Sequence, residues 1–257
     1  MVALTPHTRV SRHTIRRRLA ENDLKPWQQK MWCVPKIDAE YVARMEDVLD
    51  LYTHPPSAGT AVVCVDESPR QLIGEVRPTT PVAPGRPARQ DYEYRRTGTA
   101  NVFLAVDAHR PWRAAKVTER RAAVDFAGWM RDLVDGPYAG YDRIQIVLDN
   151  LSTHTPAAFY EAFAPVEARR VLRKLEFHYV PKHASWLNMV EIEIGVLATQ
   201  CLARRIPDLV MLTTEVDTWI AARNQANIAV RWMFGIGQAR VKLGHAYPSH
   251  SARDVAA

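Results

Sequence analysis

Two apolar runs rich in β-branched residues, each closing on an aspartate, restrict this chain more than anything else in it: AVVCVD at 61–66 and RIQIVLD at 143–149. Both suit strands buried on both faces. Such strands need helices on two sides, and the rest of the chain offers them. RAAVDFAGWMRDLVDG (121–136) is an amphipathic helix stopped by Gly136, a short helix follows Pro156, and further helices are expected over 188–205 and 213–227. Additional strands are expected at 71–78, 101–108, 112–119 and 175–181, with a turn near His109-Arg110-Pro111. The Pro-, Gly- and Arg-rich stretch 78–99 reads as an exposed loop. The order of these elements predicts an α/β fold, a mixed sheet with helices packed on it.

The acids that close the two runs are costly to bury. An ionised carboxylate at that depth must be paired or bind a cation. If the two strands are neighbours, Asp66 and Asp149 stand about 5 Å apart. One of them would then take up a proton unless a divalent cation neutralised both. Magnesium suits such a place, because it prefers oxygen ligands and binds through one or two carboxylates. Taken singly, each acid also has a plain structural use. Asp66 can cap the turn at Glu67-Ser68-Pro69, Asp149 the turn at Asn150-Leu151-Ser152, and Glu191 can complement the dipole of the helix it opens. On these residues alone both readings stay open.

Charge adds a second constraint. Of the net +6, the whole excess lies before residue 37: Arg9, Arg12, Arg16, Arg17, Arg18, Lys25, Lys30 and Lys36 against Glu21 and Asp23. A basic head on a neutral body is what phosphate contact calls for, and it equally describes a solvated helix. Ser11 can cap a helix running over His13 to Glu21, with Ile15 and Leu19 as its buried stripe, and Pro26 stops it. A second helical pattern covers 37–53, followed by the breaker HPPSAG at 54–59. There is no apolar run of membrane-spanning length and no signal peptide. Cys33, Cys64 and Cys201 are too scattered for a zinc site or a disulfide framework, so a reduced, cytoplasmic protein is expected, associated with the nucleoid if it binds DNA. With 47% hydrophobic residues the body can bury a core without staples.

PKHASWLNMVEIEIGVL (181–197) breaks the tie. It closely resembles the segment that carries the last catalytic acid in mariner-type transposases, in their bacterial insertion-sequence 630 branch, where an Asn stands three residues before the catalytic Glu. Here these are Asn188 and Glu191. VDES (65–68) and VLDNLSTH (147–154) are similar to that family's first and second Asp motifs. WMFGIGQARVKLGHAYPS (232–249) is similar to its C-terminal signature, and SRHTIRRRLAENDLKPW (11–27) resembles the end of its second helix-turn-helix.

The resemblance implies a ribonuclease-H-like five-stranded mixed sheet with an Asp-Asp-Glu catalytic triad, Asp66, Asp149 and Glu191. These acids would hold two Mg²⁺, with Mn²⁺ able to substitute. Glu193 and Glu67 are set aside as ligands, since each falls on the wrong face of its element. Asn188, on one helical face with Glu191, is expected to orient that carboxylate or its water. Trp186 is expected to pack at the base of the site. His154, five residues past Asp149, and His183, on the loop before Glu191, could each contact DNA phosphate or assist a proton, with an ordinary surface or packed histidine the commoner case for both. Double-stranded DNA is the implied partner, as terminal inverted repeats and a TA-containing target, bound by a homodimer. Arg12, His13, Arg16, Arg17, Arg18, Lys25 and Lys182 are the expected DNA contacts. The implied organisation is a partial helix-turn-helix at 1–36, a helix and linker at 37–59, the catalytic domain at 60–250 and a tail at 251–257. The head is shorter than in relatives, so an N-terminally truncated copy is expected. A decayed DNA-binding remnant and a same-fold nuclease without strand transfer are the competing readings.

Overall fold

The computed structural model describes residues 11–21 and 37–248. The chain divides into two compact units, Met1–Val34 and Pro35–Ala257. In the first, helix α1 (Arg12–Glu21) starts where Ser11 Oγ accepts a hydrogen bond from Thr14 N at 3.1 Å. The expected buried stripe is not there: α1 buries no residue and Ile15 is 49% exposed. Two apolar side chains on one short helix become buried only when another element lies across them. Lys25 and the tail 251–257 lie outside the described residues.

The second unit is built on one five-stranded sheet of order β3-β2-β1-β4-β5. The strands are β1 (Thr60–Glu75), β2 (Tyr94–Asp107), β3 (Arg113–Thr118), β4 (Arg143–Leu148) and β5 (Leu175–Tyr179). β1, β2 and β3 pair antiparallel, while β4 and β5 run parallel to β1. The expected strands at 61–66 and 71–78 are one strand. Ser68–Glu75 stays extended because it pairs with Tyr94–Val102, which also carries the end of the expected 78–99 loop into β2. A bulge at Leu72/Ile73 marks this extension, and Gly98 opposite Leu72 takes a φ of +147°, which glycine accepts without strain.

Alternation along β1 divides the core. Val63 and Val65 face a layer formed by α3 (Ala123–Asp135), α4 (Ala157–Ala162) and α5 (Pro165–Leu172). Val62 and Cys64 face α2 (Ala39–Thr53), the start of α6 (Val190–Gln200) and α8 (Ile236–Leu243). Within α3, Phe126, Met130, Leu133 and Val134 recur at helical spacing and form its buried face. Tyr41, Met45, Val48, Leu49 and Tyr52 do the same in α2, whose first turn is capped by Asp38 accepting from Tyr41 N at 2.9 Å. The helix expected at 37–53 is therefore a layer of the sheet's own core. A third cluster joins the far end of β1 and β2 to α7 (Leu209–Gln225), which begins earlier than expected because Asp208 caps it through Met211 N. No helix among the described residues is long and apolar enough to cross a membrane.

Candidate active site

The parallel pairing of β1 with β4 fixes the two aspartates. Its last register pair is Cys64 with Val147, and Asp66 and Asp149 each stand two residues further on. Neighbouring strands lie about 4.8 Å apart, so the two carboxylates share one edge of the sheet. Asp66 does not end its strand as the sequence suggested. It is the point at which β1 keeps its β2 neighbour but loses β4, which stops at Leu148. That one-sided opening leaves Asp66 half-buried with its carboxyl at the edge.

Glu191 enters from α6. Asn188 does not share that helix: it follows the 3-10 turn Ser185–Leu187 in extended conformation, before α6 begins. Its role differs from the expected one accordingly. The fully buried Asn188 amide donates to the carbonyl of Val65 at 2.9 Å, tying the approach to α6 onto β1 one residue before Asp66, and its own carbonyl accepts from Glu191 N at 3.1 Å. Tyr52 reinforces the same junction from α2. Its hydroxyl donates to Leu187 O at 2.9 Å and receives Met189 N at 3.2 Å and Cys64 Sγ at 3.3 Å.

The electrostatics of the two aspartates diverge. Burial pushes the Asp66 carboxyl up to about 7, and the negative charges of Asp149, Glu67 and Glu191 push the same way, opposed by a hydrogen bond from Glu67 N at 2.8 Å. Burial also acts on Asp149, yet a hydrogen bond from His154 and another from Leu151 N hold its carboxyl below the usual aspartate value. His154 Nδ1 lies 2.7 Å from Asp149 Oδ1, and its Nε2 lies 3.0 Å from Glu67 Oε2. A ring facing a carboxylate at each nitrogen must donate from both, which requires the imidazolium. Burial disfavours that charge, but the two carboxylates outweigh it and raise the ring to about 9. Phe126 lies against the ring at 4.5 Å and Tyr179 donates to the His154 carbonyl. His154, which sequence reasoning had ranked as an ordinary packed or surface histidine, is thus the base that faces Asp149. The only signal for it was its place in the VLDNLSTH motif.

The two set-aside glutamates have structural partners. Glu67 alternates to the other face of β1, where it meets His154 and, at 3.8 Å, Arg121. Glu193 is fully buried, with Arg113 Nε at 2.8 Å and Arg223 donating at 2.5 and 2.9 Å.

Of the remaining expected residues, Lys182 and His183 lie exposed on the loop before Ser185, His183 in left-handed conformation with φ 62°. Trp186 is 46% exposed and does not floor the site. It lies edge-on to Phe234 at 5.5 Å, on an outer cleft. Arg12, His13, Arg16, Arg17 and Arg18 are exposed along α1, with Arg17 and Arg18 reaching Glu21 at 3.6 and 2.9 Å.

The donors at the edge are carboxylate oxygens. In both aspartates Oδ1 is engaged, by Glu67 N in one and by Leu151 N and His154 in the other, while Oδ2 of each has no hydrogen bond among the described residues. No three Asp, Glu, His or Cys side chains among the described residues make a ready cage for an ion. Magnesium is usually held by one or two carboxylates plus water and substrate phosphate, so two free carboxylate oxygens under mutual repulsion fit it better than a closed cage would.

Residues 61–213, more than half of the chain, match the family model described as DDE superfamily endonuclease. No curated protein matches. Among solved structures the chain is similar to "Crystal structure of the Mos1 Strand Transfer Complex" (17% identity, TM-score 0.51, covering 83% of this chain and 63% of that one). It is also similar to "Mos1 transposase paired-end complex with left transposon end" (18%, TM-score 0.51, 85% and 67%) and to "Crystal structure of the mariner Mos1 paired end complex with Mg" (19%, TM-score 0.50, 85% and 65%). The chain spans under two-thirds of the Mos1 chain in the first of these. At such identities the likeness is one of fold, the ribonuclease-H-like mixed sheet flanked by helices.

Proposed function

The chain belongs to the DDE superfamily endonuclease family, and on that premise we propose that it is a DNA transposase of the insertion-sequence 630 branch, with Asp66, Asp149 and Glu191 as its catalytic acids. The observation that carries this is the register of β1 against β4. It brings two aspartates remote in sequence to one open edge, where the charge of Glu191 also reaches Asp66.

These three acids would hold divalent cations, two Mg²⁺ or Mn²⁺. Bound there, the metal stabilises negative charge on the oxygens around the scissile phosphorus. The chain's own residues prepare that place. His154 and Leu151 N occupy Oδ1 of Asp149, and Glu67 N occupies Oδ1 of Asp66, so each aspartate presents its other oxygen. Asn188 and Tyr52 hold the entry to α6 against β1, which keeps Glu191 at the same edge. The reaction is in-line attack of water on phosphorus, breaking one P–O bond and freeing a 3′-hydroxyl at the element end. That hydroxyl then attacks a phosphodiester of TA-containing target DNA, joining the strands as the target's own P–O bond breaks.

The exposed arginines of α1, Lys182 and the arginines of the 78–99 stretch are the proposed backbone contacts, and a homodimer would bring two ends together. A labelled-end assay with inverted-repeat DNA, target plasmid and Mg²⁺ or Mn²⁺ tests the reading. Cleaved 3′-ends joined to target, lost in Asp149→Ala, are expected. Cleaved ends that never join would identify a nuclease, and absence of metal-dependent cleavage a decayed remnant.

A further inference from the structure

Between the start of α6 and the C-terminal region lies a cleft of about 660 Å³ that the proposed chemistry does not use. Its volume falls within the roughly 300–1,000 Å³ of small-ligand sites. Trp186, Ile192, Trp232 and Phe234 make its walls, and Arg231 and Lys242 stand among them. Trp186 precedes the Asn188–Glu191 junction and Ile192 follows it, so the cleft is walled by the same stretch of chain that carries the third acid. Both side chains are unusually open for their type, at 46% and 45% exposure.

The walls are held from behind. The Trp186 side chain lies beside Tyr41 of α2. Trp232 packs edge-on to Tyr52 at 5.1 Å and donates its indole N–H to Phe234 O at 2.6 Å. Aromatic faces fixed in this way lose little freedom when something flat is laid on them. The charge is one-sided too. Among the described residues no acid lines the cleft and neither Lys242 nor Arg231 has a carboxylate partner, while Lys242 Nζ sits 5.5 Å over the Phe234 ring. Aromatic rings interleaved with unpaired cations are the pattern of single-stranded nucleic-acid sites: bases stack on the rings and the cations follow the phosphates.

We propose that this cleft seats one unpaired nucleotide of the DNA substrate, its base against Trp186 and its phosphate toward Arg231 and Lys242. The proposal rests on the DNA reading above and adds to it a subsite for a strand that has left the duplex. Unstacking a base costs free energy, and a waiting aromatic face offsets it.

Binding of the full chain, measured by fluorescence anisotropy in EDTA, separates this from the cleavage reading. The probes are a blunt duplex and the same duplex with an unpaired 5-iodouracil-containing flap, which is also photo-crosslinked and the adduct mapped by mass spectrometry. We expect roughly tenfold tighter binding of the flap, a crosslink at Trp186 or Phe234, and loss of the preference in Trp186→Ala with duplex binding kept. Lys242→Glu, at an exposed position, must weaken the preference too, and it carries the test if Trp186→Ala does not fold. No flap preference, a crosslink elsewhere, or a preference untouched by Lys242→Glu overturns the proposal, even if cleavage is observed. A change in self-association without a change in flap binding also overturns it and makes the cleft a protein interface. A crosslink at Trp186 in a protein that never cleaves keeps the subsite and removes the transposase. Failure to bind either probe sinks both.

Discussion

Asp66 and Glu67 are neighbours on β1 with opposite circumstances. On the face of Glu67, and wherever else the body buries an acid for structure, a base is in attendance: His154 and Arg121 for Glu67, Arg113 and Arg223 for Glu193, Arg110 for Asp107. On the face of Asp66 the neighbours are other acids, and no base is paired with its carboxyl among the described residues. The difference teaches where cost is tolerated. A fold that pairs its buried carboxylates elsewhere leaves Asp66 in mutual repulsion with Asp149 and Glu191, the condition a divalent cation relieves.

The hardest way to break this contrast is at the acids of the open edge. Asp66→Asn, Asp149→Asn and Glu191→Gln should each lower metal-dependent cleavage on the order of 10²–10³-fold or more. Thermal unfolding in EDTA should not fall for Asp66→Asn, which removes repulsion. A fall in melting temperature comparable to that of a core truncation would place Asp66 among the structural acids. The converse applies at Glu193. Glu193→Leu strands the buried Arg113 and should cost about 3–5 kcal/mol in urea unfolding, and an unchanged midpoint would end the distinction between the two classes.

Acid pH sharpens the same comparison. The folded carboxyl of Asp66 titrates at about 7 against 3.8 in an unfolded chain. Between those values the native state binds the extra proton, so the metal-free protein should gain stability as pH falls from about 7 and level off below about 4. Urea midpoints measured in EDTA should rise over that window in wild type and much less in Asp66→Asn, and parallel curves would refute the assignment. The smallest effect belongs to His154. His154→Gln, which cannot carry the charge between Asp149 and Glu67, should weaken Mn²⁺ binding about 10–100-fold as read by titration, with the circular-dichroism spectrum retained. Undiminished Mn²⁺ affinity would make His154 a packing residue.

Much of this site could be read from the chain, and the reasons are local. AVVCVD and RIQIVLD announce buried strands by their side chains alone, and each closes on one of the two aspartates that the register brings to one edge. The partners of Glu67 and Glu193 accord with the period of a strand and of a helix, which turns each away from the neighbouring acid. What stayed hidden was long-range. Nothing near residue 71 says that Tyr94–Val102 will pair with it and fuse two strands into one. The arginines that neutralise Glu193 come from β3 and α7, and His154 links the two faces only once β1 and β4 are side by side. Asn188 was placed on a helix because its neighbours favour one, whereas its amide is spent on the Val65 carbonyl.

Tyr52 determines where this protein can be dissected. A recombinant fragment opening at Thr60 would retain every strand and all three acids yet lack α2. The carbonyl of Leu187 and the amide of Met189 would lose their shared hydroxyl, and Val62, Cys64 and Val147 would lose a wall of side chains. Opening the fragment at Ile37 preserves that wall, together with the grip of Glu46 on Arg240 and Tyr247 of the C-terminal region. A fragment that keeps these contacts therefore begins a full helix upstream of β1.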